Sequence, residues 1–263
     1  KLEKFSTAMA PQITLGALAK TYFAEQAGVD KDKIQVISIM PCVSKKKEAQ
    51  MHAKVGFHEV NLVLTTREIA QILKDKDINP LKLENSEFDQ FLGEASRGGR
   101  KFGTTGGVAE AVINSLYDMY GEKKTVTIED DDEIGHYTFN IAGKEINVVR
   151  IYGLQNYVKF VKELDDKSKT DKVYHLVEVM ACPYGCVGGP GQPLPISMDK
   201  NKQRSHALRR YANKQKYSDP YANPEVQRVY DKYLMKFGSC KAKALLHIGC
   251  EICKLTFDEM EGE

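Results

Sequence analysis

Between Val173 and Pro193 an apolar, β-type run gives way to Cys182 and Cys186, and then at once to a loop holding Gly188, Gly189, Pro190, Gly191 and Pro193. No other stretch restricts the fold of this chain as much. The run needs a sheet neighbour. It must end where it does, because proline and clustered glycine do not continue a ladder. A loop so rich in glycine lets backbone come close to a bound group, while the strand before it holds the loop in place. Two readings stay open from these residues alone: a buried cysteine pair beside an ordinary turn, or ligands on a positioned loop. The glycines argue for the second, because a plain turn needs only one or two.

A second strand end looks the same. Ile39-Met40-Pro41-Cys42 and Val179-Met180-Ala181-Cys182 each close an apolar run with methionine and present a cysteine two residues later. Methionine is a common core filler. Two of them beside Cys42, Cys182 and Cys186 would instead line a dry pocket rich in sulfur. Three or four thiolates meeting in an apolar cleft suit zinc or an iron–sulfur cluster. Zinc sites usually use Cys-x2-Cys turns. A Cys-x3-Cys on a glycine loop, with one distant cysteine, suits the larger cubane better.

The remaining pattern alternates strands with helices. Helices are expected over 10–28, from about Ser44, over 67–74, from about 108 to Tyr120, over 155–165, and over about 201–216, 224–236 and 240–248. Strands are expected over 34–40, 60–65, 125–128, 137–142, 145–152 and 173–180. Ser44 and Thr66 are candidate helix caps. Phe102-Gly103-Thr104-Thr105-Gly106-Gly107-Val108 opens a helix on glycine, a place where free N–H groups cradle an anion. It is neither a P-loop nor a dinucleotide fingerprint. Residues 76–101 lack a clear period, though Phe88, Phe91 and Leu92 argue that part of them packs. The expected class is α/β, with two lobes of mainly parallel sheet flanked by helices, a cofactor cleft between them and a helical C-terminal segment. The lobes are placed at about 1–125 and 126–200, with a helical wrap over 200–237 and a separate tail over 238–263.

At 263 residues the chain can bury a sizeable core, and its 42% hydrophobic and 28% charged content is ordinary for a globular protein. A net charge of +2 gives no electrostatic case for nucleic acid or an anionic membrane surface. No apolar run approaches the ~20 residues that span a bilayer, and the first residues are not a signal peptide. Six cysteines are too few for a disulfide scaffold. The expected location is cytoplasmic, or periplasmic if a leader precedes Lys1.

Three segments carry a specific resemblance: Met40-Pro41-Cys42-Val43-Ser44-Lys45-Lys46-Lys47-Glu48, the run Phe102 to Ala111, and Glu178 to Pro193. In order and spacing they resemble the signature segments of the iron-only (FeFe) hydrogenases, and Ser6 to Gln12 resembles the segment that family places before its long helix. The likeness spans roughly residues 5–237. It implies an H-cluster: a 4Fe–4S cubane joined through one cysteine sulfur to a two-iron site with CO, cyanide and azadithiolate ligands. It implies that Cys42 and Cys182 are cubane ligands, and that Cys186 also bridges to the two-iron unit. Lys45 would donate a hydrogen bond to a cyanide, the strong, charge-assisted kind. Met40 and Met180 would pack against the carbonyl-bearing irons, Phe102 and Gln12 would line the distal-iron pocket, and Ser6 would match a serine of the proton relay. The substrate would be H2 and protons, the electron partner ferredoxin or another carrier subunit, and assembly would need maturation proteins.

The sequence departs from the family at the front. The earlier cysteine segment, which supplies the fourth cubane ligand and a proton-donating cysteine, is not among these residues. The expectation is that a missing N-terminal part or a partner chain supplies it. Met9 stands for a lysine, Ala10 for a serine, Val43-Ser44 for Thr-Ala, and Pro190 interrupts the glycines. These departures resemble divergent or sensory members. Two other functions therefore stand beside hydrogen turnover: a non-catalytic relative in iron–sulfur assembly, and a hydrogen sensor. In the tail, Cys240, His247, Cys250 and Cys253 are candidate ligands for a further metal, or simply unligated thiols with a histidine.

Overall fold

In this computed structural model the described residues are 5–51, 57–87, 92–129, 132–165 and 172–248. Pro11–Leu18 (α1) starts on a proline, which fits the first turn because its missing N–H would have no helical partner there. It runs into a π-helical turn, Ala19–Phe23, and a last α-turn, Ala24–Ala27 (α2), ended by Gly28 in the left-handed conformation at φ 62°. Then come Ile37–Met40 (β1), Ser44–Gln50 (α3), Leu62–Thr65 (β2) and Thr66–Asp75 (α4). Arg97–Lys101 (α5) and Gly107–Met119 (α6) precede an antiparallel hairpin, Ile134–Ile141 (β3) and Lys144–Tyr152 (β4). Leu154–Asp165 (α7), Leu176–Met180 (β5), Met198–Ala212 (α8), Pro224–Val229 (α9), a π-turn over Tyr230–Leu234 and Cys240–Leu246 (α10) follow among the described residues.

Compactness divides the chain into two units, residues 1–85 with 227–263, and residues 86–226. In the first, β1 and β2 pair in parallel, Ile37 opposite Leu62 through Met40 opposite Thr65. Met9, Ile13, Ala49, Val60 and Val63 form its core, with Met40 packed against them. Residues 7–9 and 246–248 clasp each other in an antiparallel bridge: Met9 N–H donates to Leu246 O at 2.8 Å and Ile248 N–H to Thr7 O at 2.7 Å. Thr7 Oγ1 pairs with His247 Nδ1 at 3.0 Å.

In the second unit β4 lies in the middle of the sheet, antiparallel to β3 and parallel to β5. Val148, Val149 and Ile151 of β4 are wholly buried, as expected for a strand covered on both faces. Val148 packs with Ala109, Ile113 and Tyr117 of α6, and Val149 and Ile151 pack with Phe160 of α7. The result is mixed α/β structure with parallel pairings flanked by helices, as the alternation of elements led us to expect.

Several local expectations move. Val43, not Ser44, is the residue before α3, and it makes no side-chain cap. The cap of α4 is Thr65 rather than Thr66: its hydroxyl accepts from Glu68 N–H while Glu68 reaches back to Thr65 N–H, a complete capping box. Residues 125–128 are not a strand. Two of their N–H groups are taken by side chains of α6 instead, with Val126 N–H donating to Asn114 Oδ1 at 2.8 Å and Ile128 N–H to Glu110 Oε2 at 3.1 Å. Helix α5 lies where no period was legible. The expected packing of Phe88 and Phe91 falls outside the described residues. Two histidines with no partner in the sequence are structural: His136 Nδ1 meets Tyr174 OH at 3.1 Å, and His175 Nδ1 accepts from Asn147 N–H at 3.0 Å.

Candidate functional site

In the first unit β1 ends at Met40, Pro41 stops the ladder, and Cys42 follows half-buried just before α3. At the second position of α3, Lys45 Nζ lies 2.7 and 2.9 Å from the two carboxylate oxygens of Glu48. Gln12, buried on α1, ties this pair down. Its Nε2 donates to Glu48 Oε2 at 2.7 Å and to Lys45 O at 3.1 Å, and its Oε1 accepts from Ser38 Oγ at 2.9 Å. A strand hydroxyl, an amide, a carboxylate and an ammonium thus form one connected network beside Met40 and Cys42. Glu48 is the member that sequence reasoning left without a role. It is one helical turn from Lys45, a spacing that pairs side chains on a helix. Ser6 is exposed, and its Oγ accepts from Ala8 N–H at 3.2 Å.

In the second unit β5 delivers Met180 and then the loop carrying Cys182 and Cys186, both half-buried. Cys186 opens a short 3-10 turn, Cys186–Gly188. The loop is stitched to the segment that follows Phe102. Thr105 N–H donates to Tyr184 O at 3.1 Å, and Val187 N–H donates to Gly103 O at 3.0 Å. The contact is so close that a Cβ on Gly185 would sit 2.7 Å from Thr105 N and 2.8 Å from Thr104 C. Gly185 also has φ 91°, so two independent reasons require glycine there. Before it, Tyr184 adopts φ 62°, an uncommon state for a bulky residue that costs about 1–3 kcal/mol.

The anion expected at the glycine-rich start of α6 belongs to the chain itself. Glu178 of β5 accepts from Gly106 N–H at 2.5 Å and from Ala109 N–H at 2.7 Å. Burial pushes its carboxyl above the usual range, against the pull of those two donors and of the Arg209 guanidinium. Behind it, Lys101 Nζ and Glu110 Oε1 form an ion pair at 2.6 Å with both side chains almost wholly buried. Arg209 of α8 lies 3.7 Å from Glu110 and donates to Thr105 O at 2.6 Å. These charges lock α5, α6, β5 and α8 together under the cysteine loop.

Thus Gln12, Met40, Cys42 and Lys45 share one neighbourhood in the first unit, while Phe102, Met180, Cys182 and Cys186 share another in the second. None of Cys42, Cys182, Cys186 and Cys240 is in a disulfide. Among the described residues no three His, Cys, Asp or Glu side chains are grouped to hold a metal ion by themselves. The donors in the second unit suit an iron–sulfur group: soft thiols on a loop fixed from two sides, beside Thr105. The hydroxyl of Thr105 is fully buried and has no hydrogen-bond partner among the described residues. In the tail, Cys240 is exposed at the start of α10 and His247 Nδ1 is engaged by Thr7. Cys250 and Cys253 lie outside the described residues.

Compared with known proteins, residues 1–190 match the family model of the iron-only hydrogenase large subunit, C-terminal domain, and residues 198–249 match that of the iron hydrogenase small subunit. The chain belongs to the iron-only hydrogenase large-subunit family. It carries the small-subunit match on the same polypeptide. It is similar to iron hydrogenase 1 of Clostridium pasteurianum, 36% identical over 94% of this chain and 44% of that one. It is also similar to the cytosolic Fe-S cluster assembly factor narfl of Danio rerio, 29% identical over 94% of this chain and 62% of that one. Among solved structures, the apo FeFe hydrogenase HydA1 of Chlamydomonas reinhardtii matches with a TM-score of 0.75 and 28% identity, covering 92% of this chain and 69% of that one. The chain spans about half the length of the curated relatives it matches. No helix among the described residues is long and apolar enough to cross a membrane.

Proposed function

We propose that this chain is the larger part of a hydrogen-activating domain and that Cys42, Cys182 and Cys186 are ligands of an H-cluster. The observation that carries the reading is the loop bearing Cys182 and Cys186. It is a strand-end thiol loop clamped by backbone hydrogen bonds onto the segment after Phe102, with glycine at two positions, 185 and 188, where a Cβ would run into backbone atoms. When bound, the H-cluster supplies the chemistry of 2H⁺ + 2e⁻ ⇌ H₂.

The chain's own residues bind, orient and exclude water. Cys42 and Cys182 would hold the cubane, and Cys186 would hold the cubane and the two-iron unit. Lys45, whose ammonium pairs with Glu48 and whose carbonyl accepts from Gln12, would offer a hydrogen bond to a cyanide ligand. Met40, Met180 and Phe102 supply apolar walls. Gln12, fixed by its bond to Lys45 O, would line one side of the distal-iron pocket, and Ser6 would hold or pass a proton at its hydroxyl. A cubane would take its fourth thiolate from outside these three matched positions. Electrons would come from ferredoxin or another carrier subunit, and maturation proteins would load the two-iron unit.

A second reading has a specific finding behind it. Similarity to an iron–sulfur assembly factor over nearly the whole chain favours a protein that holds cubane iron without the two-iron unit. Infrared spectroscopy of the matured, full-length protein separates the two. Hydrogen turnover requires CO and CN stretching bands, and Cys186→Ala is expected to lose them while iron bound through the other cysteines remains. A matured protein with cubane iron and no such bands would establish the assembly-type reading.

A further inference from the structure

Tyr184 sits between Cys182 and Cys186 in a backbone conformation that glycine adopts freely and tyrosine does not, φ 62°. A strained residue persists where its surroundings hold it, and the side chain is what they hold. The ring is buried, 7% exposed, and stacks on Tyr152 with centroids 5.5 Å apart and planes 25° apart. Tyr152 is the last residue of β4, paired in register with Met180, and is itself 5% exposed. The next residue, Gly153, donates its N–H to Met180 O at 2.8 Å. A ring from the neighbouring strand end therefore reaches past Met180 and holds the loop through Tyr184. Two backbone bonds hold the same loop from the other side, Thr105 N–H to Tyr184 O and Val187 N–H to Gly103 O.

We infer that Tyr184 is a positioning residue. Stacked on Tyr152, it fixes the Cys182–Cys186 loop in a ligand-ready shape before any cluster arrives. Preorganisation of ligands by neighbours that do not themselves bind is a general feature of metal sites, and loss of such a neighbour commonly costs 10–100-fold in metal affinity. The inference rests on the proposed ligand role of Cys182 and Cys186.

Two measurements on the full-length protein test it, using Tyr184→Gly, Tyr184→Phe and Tyr152→Leu. The first is hydrogen exchange of the cluster-free protein. Tyr184→Gly suits φ 62°, so the fold is expected to survive while exchange speeds up at the amides of Gly185, Val187, Gly188 and Gly189. Tyr184→Phe, which keeps the ring, is expected to match the wild type, and Tyr152→Leu to match Tyr184→Gly. The second is release of iron to a chelator after anaerobic reconstitution with iron and sulfide. Tyr184→Gly is expected to lose iron roughly 10–100 times faster than wild type or Tyr184→Phe. Unchanged loop exchange and unchanged release in Tyr184→Gly would overturn the inference, as would acceleration spread evenly over the second unit. If the wild type binds no iron, the ligand assignment fails, and the exchange result still decides whether Tyr184 fixes the loop.

Discussion

Single atoms decide whether the cysteine loop can lie where it does. A methyl group on Gly185 would meet Thr105 N, Thr104 C and Gly103 O at 2.7 to 2.9 Å, all of them backbone atoms that cannot swing away. Gly185→Ala is therefore expected to cost about 2–4 kcal/mol, from overpacking added to left-handed strain. At Gly143, in the β3–β4 turn at φ 75°, an added methyl group would meet nothing within 4 Å. Gly143→Ala should cost only the conformational part, about 1–2 kcal/mol. Urea unfolding of both variants checks the contrast, and equal losses would show that crowding at Gly185 is relieved by loop movement. At this scale the cysteines, both strand-end methionines and the glycine-rich loop after Cys186 were legible in the sequence, because each is a local chemical signal, whereas the demand for glycine at 185 came only from its neighbours in space. Glu48, Glu178 and the Tyr152–Tyr184 stack were not. Glu178 meets Gly106 across 72 residues, and no local pattern encodes such a pairing.

At the scale of elements, helices and strands were legible wherever the apolar period was clear, as in α1, α6, α7 and the hairpin turn at Gly143. The span 125–128 carries β-type residues, yet two of its amides found side-chain acceptors on α6 and the ladder was never made. Helix α4 offers a test of what its start contributes. Glu68 is held at about 2, well below its usual 4.5, chiefly by the hydrogen bond from Lys46 and then by the N–H and hydroxyl of Thr65. A depressed folded value means that stabilisation is present above the ordinary pKa and is lost as pH falls through the folded one. Stability should therefore drop between about pH 4.5 and pH 2 partly through this group. Glu68→Gln should flatten that limb of an acid unfolding curve. An NMR titration placing the Glu68 carboxyl near 4.5 would refute the cap's electrostatic contribution. Glu178 works with the opposite sign: burial raises its pKa, so its contribution is present at low pH and fades as pH rises through the raised value.

Over the whole molecule, the first compact unit is assembled from both ends of the described chain, residues up to 85 and residues from 227. The clasp of residues 7–9 with 246–248, the wholly buried Leu245 and the contact of Tyr233 with Tyr22, ring centroids 5.4 Å apart, hold the later segment in place. Ending the chain at Phe237 is expected to remove at least about 2–3 kcal/mol of burial from this unit through Leu245 alone. Hydrogen exchange should then rise over α1 and β1 and stay unchanged over β3, β4 and β5. Uniform change across both units would show that they unfold as one.

The sequence by itself determined the α/β class, the two methionine-to-cysteine strand ends and membership of the iron-only hydrogenase family, because these rest on periodicity and on residue types at fixed short spacings. Only the tertiary structure decided what stands behind the thiols: a glutamate filling the anion position at the start of α6, a lysine parked on Glu48, and a tyrosine held in a glycine conformation by its stacking partner. Each of these depends on where packing sets the groups. Their cost in desolvation or strain is offset only when a partner comes to within a few ångströms, a condition that no window of local sequence contains.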